Sequence, residues 1–306
     1  MDDFTLITRE LKAYLPNLDL RENESMKNHC SFRIGGEALA MALPSSVEET
    51  EKLCHFLHEK GIKPLIIGNG TNLLITDEPL RRFVIKMSDG MSAIERSGET
   101  GVSALCGVSL ARLANECAHL SLTGLEFAHG IPGTLGGAAS MNAGAYGGEM
   151  KQVVHTVTYL DEHLILRQKT VEELDFSYRH TAFSDTEDVV LGCAIQLEKG
   201  NEDEILAKMR ELSEKRRSSQ PLDKPSAGST FKRPVGGYAA ALIEESGLKG
   251  FGIGGAQVSE KHAGFVINRG GATFDDVIKL MENIKETVYR RTGIMLEPEV
   301  KIIKNG

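Results

Sequence analysis

No two of the five cysteines, Cys30, Cys54, Cys106, Cys117 and Cys193, form a C-x-x-C pair. That absence excludes the usual spacings of a zinc site or a disulfide framework and predicts reduced thiols and no metal. No apolar run reaches the length of a membrane span, and the start Met1-Asp2-Asp3-Phe4-Thr5 lacks the basic opening of a signal peptide, so the chain is expected in the cytoplasm with no membrane partner. A basic balance is missing too. The formal net charge of −8 disfavours general nucleic-acid binding, which relies on clustered Lys and Arg, so an anionic small ligand would need local arginines. Familiar nucleotide motifs are also lacking: Gly68-x-Gly70 carries Leu73 where a dinucleotide fingerprint needs its third glycine, and no Gly-Lys-Ser/Thr run exists for a P-loop.

What is present is glycine. Residues 124 to 148, GLEFAHGIPGTLGGAASMNAGAYGG, hold eight glycines in twenty-five positions and almost no charge. Without a Cβ, glycine brings backbone N–H groups close to a ligand and reaches positive φ, so the stretch reads as a main-chain surface for phosphates rather than as core. A second segment agrees with it. From Pro64 to Ile75 an apolar strand runs into Gly68-Asn69-Gly70, a turn closed by Thr71 and Asn72, and then into another apolar strand. Two such loops point to a ligand with a pyrophosphate, although glycines that merely turn the chain would give the same composition.

At 306 residues, with 41% apolar and 25% charged side chains, the chain has the size for two or three soluble domains and for an enzyme. Residues 38 to 76 read as a β-α-β unit: a strand Ala38 to Leu43, a helix, and a strand Leu65 to Ile67. The helix signals are a capping box (Ser45 with Glu48, or Ser46 with Glu49), a face of Val47, Thr50, Leu53, Cys54 and Leu57, and a stop at Gly61. His55 and His58 lie one turn apart on it but have no carboxylate or cysteine partners, so they read as surface or packing residues. Further strands are expected at Phe83 to Met87, Val102 to Cys106, Val153 to Leu160, Leu164 to Arg167 and Val189 to Leu197, with a helix Leu110 to Leu120 capped by Ser109. Residues 201 to 217 form a polar helix, acidic first and basic last, as the helix dipole favours. Ser218 to Pro221 ends it and marks a boundary. Helices near Tyr238 to Ser246 and Thr273 to Arg291 and a strand Val300 to Ile303 complete an α+β chain.

Six runs together resemble a known family: Ser31-Phe32-Arg33-Ile34-Gly35-Gly36; Gly68 to Leu74; Gly130-Ile131-Pro132-Gly133 with Met141-Asn142-Ala143-Gly144-Ala145-Tyr146-Gly147; Tyr178-Arg179; Ala227-Gly228-Ser229-Thr230-Phe231-Lys232; and Leu296-Glu297-Pro298-Glu299-Val300. Each alone is weak. In this order and spacing they resemble the UDP-N-acetylenolpyruvoylglucosamine reductases of the vanillyl-alcohol oxidase and p-cresol methylhydroxylase flavoprotein superfamily, over nearly the whole chain. The resemblance implies a two-subdomain FAD-binding domain plus a C-terminal α+β substrate-binding domain. The corresponding boundaries are 1–85 for the first subdomain, joined by the strand 297–304, 86–200 for the second, 201–220 for a linker helix and 221–296 for the substrate domain.

It also implies the chemistry. NADPH would reduce noncovalently bound FAD, and the enolpyruvyl ether of UDP-N-acetylglucosamine enolpyruvate would then take hydride at its terminal carbon and a proton at the carbon beside its carboxylate, in peptidoglycan precursor synthesis. By resemblance Arg179 grips the carboxylate, Ser229 supplies the proton and Glu299 hydrogen-bonds the enediolate. Read without the family, Arg179 is a surface residue of a short connection, Glu299 part of a solvated strand start and Ser229 a turn residue. Residues expected to hold the cofactor are Arg33, Gly68, Asn69, Gly70, Thr71, Asn72, Gly130, Ile131, Pro132, Gly133, Gly136, Gly137, Asn142, Gly144 and Ala145. Tyr178, Lys232 and Arg233 are expected at the substrate, with Arg269 as a further diphosphate candidate, and the chain is expected to be a monomer.

The chain departs from the longer form of the family, which carries a tyrosine-bearing lid and Asn where Arg233 stands. The run from Arg179 to Leu197 leaves no room for that lid, so the chain resembles the shorter, second type. His129, where the family more often has a small residue, either contacts the flavin, even covalently, or fills space. Two other readings stand beside this one: another flavin oxidoreductase of the superfamily, such as an oxidase using O₂, and a noncatalytic nucleotide-binding protein on the same scaffold.

Overall fold

The computed structural model describes residues 3–184 and 186–305, which fall into two units. The first joins Met1–Glu22, Leu39–Asn69 and Arg82–Lys215, and the second joins Asn23–Ala38, Gly70–Arg81 and Arg216–Gly306. These units do not follow the expected boundary at residue 85. Strand Leu73–Ile75 pairs in parallel with Lys301–Ile303, Leu73 opposite Lys301, and that main-chain ladder draws residues 70–81 to the C-terminal part of the chain.

In the first unit, helix Val47–Glu59 is capped by Ser46, whose hydroxyl accepts the Glu49 N–H at 3.1 Å. The Glu49 carboxylate reaches back one residue further than in a simple capping box, accepting from the Ser45 N–H at 2.7 Å and the Ser45 hydroxyl at 2.9 Å. Thr50, Leu53, Cys54, Phe56 and Leu57 are buried by this helix, while His55 and His58 are exposed. It connects strand Glu37–Leu43 to Leu65–Ile67, which lies parallel to Leu80–Lys86 with Leu65 opposite Val84.

A five-stranded sheet follows, in the order Leu166–Thr170, Val154–Leu160, Val189–Gln196, Gly101–Leu105, Ile94–Ser97, with every neighbour antiparallel. Register places Val157 opposite Cys193 and Cys193 opposite Ala104, and all three are buried in one core cluster. Strand Gly101–Leu105 alternates between buried and half-buried positions, whereas Val189–Cys193 is buried at every position, as a central strand covered on both faces requires. The strand expected at Leu164 to Arg167 begins later. The Asp161 carboxylate accepts the N–H groups of His163 and Ile165 at 3.0 and 2.9 Å, and Leu164 turns through φ 58, so the chain is still in an aspartate-closed turn there.

One expectation is corrected. The glycine-rich stretch is partly core: it contains helix Leu135–Ser140, with Leu135, Gly136, Ala138 and Ala139 buried against the central strands. At Gly136 a Cβ would stand 2.7 Å from that of Cys106, so close packing selects glycine there. Helix Asp3–Tyr14 and strand Asp19–Ser25 were not anticipated.

The second unit carries an antiparallel sheet of very short strands, Gly252–Ile253, Ala256–Val258 and Val266–Asn268, packed by helix Phe274–Thr292. That helix has a full capping box between Thr273 and Asp276, buries Val277, Leu280, Met281, Ile284 and Val288, and stops at Gly293 with φ 73. No helix among the described residues is long and apolar enough to cross a membrane.

Candidate active site

In the first unit the two glycine loops predicted separately meet. Strand Leu65–Ile67 ends at Gly68, where a Cβ would stand 2.2 Å from the Thr134 Oγ1, and the Asn69 side-chain amide donates to the Pro132 carbonyl at 3.3 Å. The Gly68 main chain therefore lies against the Thr134 side chain, and Asn69 ties its loop to Pro132, so the two segments meet. Glycine-rich main chain of this kind fits a pyrophosphate and hence a dinucleotide cofactor.

Past the helix Leu135–Ser140 the chain turns sharply at Asn142, which is 1% exposed and holds φ 46. Its side chain is fully engaged by protein. The amide nitrogen donates to the Glu149 Oε2 at 3.1 Å and to the Ser177 carbonyl at 3.0 Å, and the amide oxygen accepts the Lys151 N–H at 3.0 Å. Arg179, half-buried at φ 56, sits on the same turn: its guanidinium donates to the carbonyls of Asn142 at 3.5 Å and Gly144 at 3.1 Å. The tight turn that carries it is closed by the Ser177 and His180 main chains, at 3.1 and 3.3 Å. Arg179 is thus not the loose surface residue of the sequence-only reading. Tyr178 is exposed, with the Arg179 guanidinium carbon 5.2 Å from its ring centre. His129 shares a hydrogen bond with the Ser213 hydroxyl at 3.1 Å, and burial lowers its pKa.

In the second unit Arg33 is exposed at φ 55, and the Ser31 N–H beside it donates to the Gly70 carbonyl at 3.1 Å. Gly70 itself has φ 61 and runs so near residue 29 that a Cβ would lie 2.1 Å from the His29 carbonyl oxygen. The close approach leaves no room for a side chain, and the left-handed backbone would strain one. Asn72 reaches a different target from the cofactor expected of it: its side-chain amide donates to the Glu299 carbonyl at 3.0 Å, and its own carbonyl accepts the Lys301 N–H at 2.9 Å.

Ser229 and Glu299, 70 residues apart in sequence, lie on paired segments. The Glu299 N–H donates to the Thr230 carbonyl and the Lys232 N–H to the Glu297 carbonyl, both at 2.9 Å, with Phe231 bridged to Pro298. Thr230 is fixed below them, its hydroxyl accepting the Val266 N–H at 2.9 Å. Ser229 is exposed and Glu299 half-buried. The ladder thus ties the chain next to Ser229 to the chain that carries Glu299, and a hydroxyl and a carboxylate are the groups that deliver a proton and bind an oxyanion. Lys232 has its ammonium 3.7 Å from Glu297, a solvated pair worth little by itself. Arg233 lies over the Tyr238 ring at 4.6 Å, and Arg269 donates to the Gly254 carbonyl at 3.1 Å. Sequence reasoning missed Tyr238, and it missed what Asn72 and Asn142 bind.

The glycine cradle on an α+β unit, followed by a smaller unit with a serine-carboxylate ladder, defines a two-part nucleotide-cofactor protein. Residues 38–163 match the family described as FAD binding domain, and residues 220–303 match UDP-N-acetylenolpyruvoylglucosamine reductase, C-terminal domain. The chain is 49% identical to the UDP-N-acetylenolpyruvoylglucosamine reductase of Caldanaerobacter subterraneus, covering 97% of this chain and 98% of that one. It is 45% identical to the Clostridioides difficile protein of the same name over 93% of each. Among solved structures, the reductase of that name from Thermus caldophilus superposes with a TM-score of 0.80 at 30% identity, covering 94% of this chain and 99% of that one. An alkyldihydroxyacetonephosphate synthase shares the fold alone, with a TM-score of 0.51 at 15% identity over 65% of this chain and 41% of that one. The chain belongs to the UDP-N-acetylenolpyruvoylglucosamine reductase family.

Proposed function

We propose that this chain reduces the enolpyruvyl ether of UDP-N-acetylglucosamine enolpyruvate to UDP-N-acetylmuramate, with NADPH as reductant and FAD as resident cofactor, and so makes a peptidoglycan precursor. When bound, FAD supplies hydride transfer between NADPH and the substrate double bond. The residues that would hold it are the main chain at Gly68, Asn69, Gly70, Thr71 and Asn72, at Gly130, Ile131, Pro132 and Gly133, at Gly137, and at Gly144 and Ala145, with Arg33, while the buried Gly136 gives its N–H to the Cys106 carbonyl at 2.8 Å instead. Tyr178, Lys232 and Arg233 bind the sugar nucleotide.

Hydride addition at the terminal carbon of the substrate drives negative charge onto its carboxylate. Arg179 offers a planar fork whose orientation is set by two carbonyls, and it steadies that charge. Glu299, sharing a proton with the enediolate oxygens, hydrogen-bonds them. The Ser229 Oγ gives its proton to the carbon beside the carboxylate, a transfer open to a weak acid because the acceptor is an enolate. The observation that supports this reading is the ladder between residues 230–232 and 297–299, which ties the segment that follows Ser229 to the segment that carries Glu299. The chain acts as a cytoplasmic monomer with neither nucleic acid nor membrane as partner.

The test is an anaerobic visible spectrum of the FAD-loaded protein. Addition of NADPH is expected to bleach the flavin band, and addition of the enolpyruvyl sugar nucleotide to restore it. A band restored only by O₂ would overturn the reading in favour of an oxidase, and a protein that bound FAD without bleaching would overturn it in favour of a noncatalytic binder.

A further inference from the structure

Asn142 was expected among the cofactor ligands, and its side chain is spent elsewhere. A primary amide has two hydrogens to donate. Here one goes to the Glu149 carboxylate and the other to the Ser177 carbonyl, while the amide oxygen takes the Lys151 N–H. The residue is 1% exposed, so no face of it is offered to a ligand. Its contacts instead converge on one functional group. Ser177 stands two positions before Arg179 in a turn closed on His180, and Arg179 rests its guanidinium on the Asn142 and Gly144 carbonyls. The Asn142 side chain therefore holds the start of the turn, and its main chain receives the arginine at the end of it. A third tie, from the Thr181 hydroxyl to the Ser140 carbonyl at 2.9 Å, fixes the same two segments just beyond.

We propose that Asn142 is a positioning residue for Arg179. It clamps residues 177–180 to the 140–149 turn so that the guanidinium presents a fixed fork to the substrate carboxylate. The assignment rests on the function proposed above for Arg179. It follows that the amide belongs to substrate recognition and not to cofactor binding. The left-handed backbone at 142 suits this residue, since asparagine tolerates that region where most side chains do not.

Asn142→Asp keeps the size of the side chain and the acceptor for Lys151 while removing both donors, and it sets a carboxylate against Glu149. Releasing the Ser177 carbonyl from the Asn142 amide, with the His180 N–H still on it, is expected to weaken binding of the enolpyruvyl sugar nucleotide to the FAD-loaded protein by roughly ten- to a hundredfold in calorimetry. FAD affinity and the rate of bleaching by NADPH are expected to stay within about twofold. Added to Arg179→Lys, the substitution should cost little more, because both act on one fork. The paired variant Asn142→Asp with Glu149→Gln separates positioning from folding. It replaces a carboxylate–carboxylate contact with an amide–carboxylate one and is expected to restore the melting temperature, yet sugar-nucleotide affinity should remain low because the tie from residue 142 to Ser177 is still missing. If Asn142→Asp alone does not fold, the paired variant carries the measurement. Recovery of both properties in the paired variant would overturn the proposal, as would a loss of FAD affinity with sugar-nucleotide binding intact. A parent protein that bleaches with NADPH but binds no sugar nucleotide would overturn the function and this assignment with it, whereas variants that bind the sugar nucleotide as well as an active parent would overturn the assignment alone.

Discussion

Gly68 and Gly70 flank one residue of the same loop, yet the structure makes different forecasts for their replacement by alanine. At Gly68 the backbone is not left-handed, and a Cβ would meet the Thr134 Oγ1 at 2.2 Å, with the rest of Thr134 at 3.3 Å. The clash is thus with the end of one side chain, of a size that costs about 1–3 kcal/mol in a close-packed setting. Thr134→Ala removes that atom and should return FAD affinity to within about threefold of the Thr134→Ala protein alone. Gly70 differs on both counts. Its φ of 61 costs a residue with a Cβ about 1–2 kcal/mol, and the Cβ would lie 2.1 Å from the His29 carbonyl oxygen, which is main chain and has no room to move aside. Together these put Gly70→Ala at about 2–5 kcal/mol, roughly thirtyfold or more in the FAD dissociation constant, and no side-chain substitution should relieve it. Titration of flavin fluorescence against the apoprotein variants measures all of this. If Thr134→Ala failed to rescue Gly68→Ala, or if Gly70→Ala bound FAD as the parent does, the close main-chain approach would not be what selects these glycines.

Three further outcomes are expected. Ser229→Ala should leave flavin bleaching by NADPH nearly intact and slow the return of colour with sugar nucleotide by about a hundredfold or more, read by stopped flow; equal slowing of both steps would remove Ser229 as the proton donor. The Asp276 carboxylate is held below its ordinary pKa by the Thr273 and Gly255 N–H groups, so its contribution is complete above the unfolded-state value and disappears as pH falls through the lower folded value. Urea unfolding should therefore show parent and Asp276→Asn converging in acid, and a gap that widened there would refute the assignment. Burial pushes the Cys54, Cys106 and Cys117 thiols up to about 12 and raises Cys30 and Cys193 as well, so Ellman's reagent at pH 8 should find no reactive thiol until the protein is unfolded, and all five afterwards.

Where local chemistry decides structure, the sequence was sufficient. Ser46, Ser109 and Thr273 cap the helices they were expected to cap or begin, and the runs expected as strands from Val102, Val153 and Val189 became strands of the main sheet, the second beginning at Val154. Helix Asp3–Tyr14 carries a readable stripe, with Phe4 and Ile7 half-buried and Leu11 buried, but a reading led by cap signals passes over it. Strand Asp19–Ser25 was not readable at all, since DLRENES has no alternating apolar pattern and is held by the neighbour it pairs with. Strands of two or three residues such as Gly252–Ile253 and Val266–Asn268 are shorter than any periodicity can register.

The same division runs through the candidate site. Glycines announce themselves because their use lies in what they lack, whereas an asparagine can cap, turn, bind a ligand or brace a neighbour, and composition does not choose among these. The partners that decide are remote: the Asn142 amide meets Ser177 across 35 positions and the Asn72 amide meets Glu299 across 227. In both cases a residue inside a cofactor-like motif braces the main chain at or beside a residue proposed to act on substrate. Motif matching groups such asparagines with the glycines around them, because the two kinds of residue occur together in sequence. Donor and acceptor counting separates them, since Asn142 has already given both its side-chain hydrogens to protein, whereas a glycine has no side-chain group to commit. A substitution at Asn72 or Asn142 should therefore be judged first by what happens to the substrate step, and only a matching loss in FAD affinity would return either residue to the cofactor site.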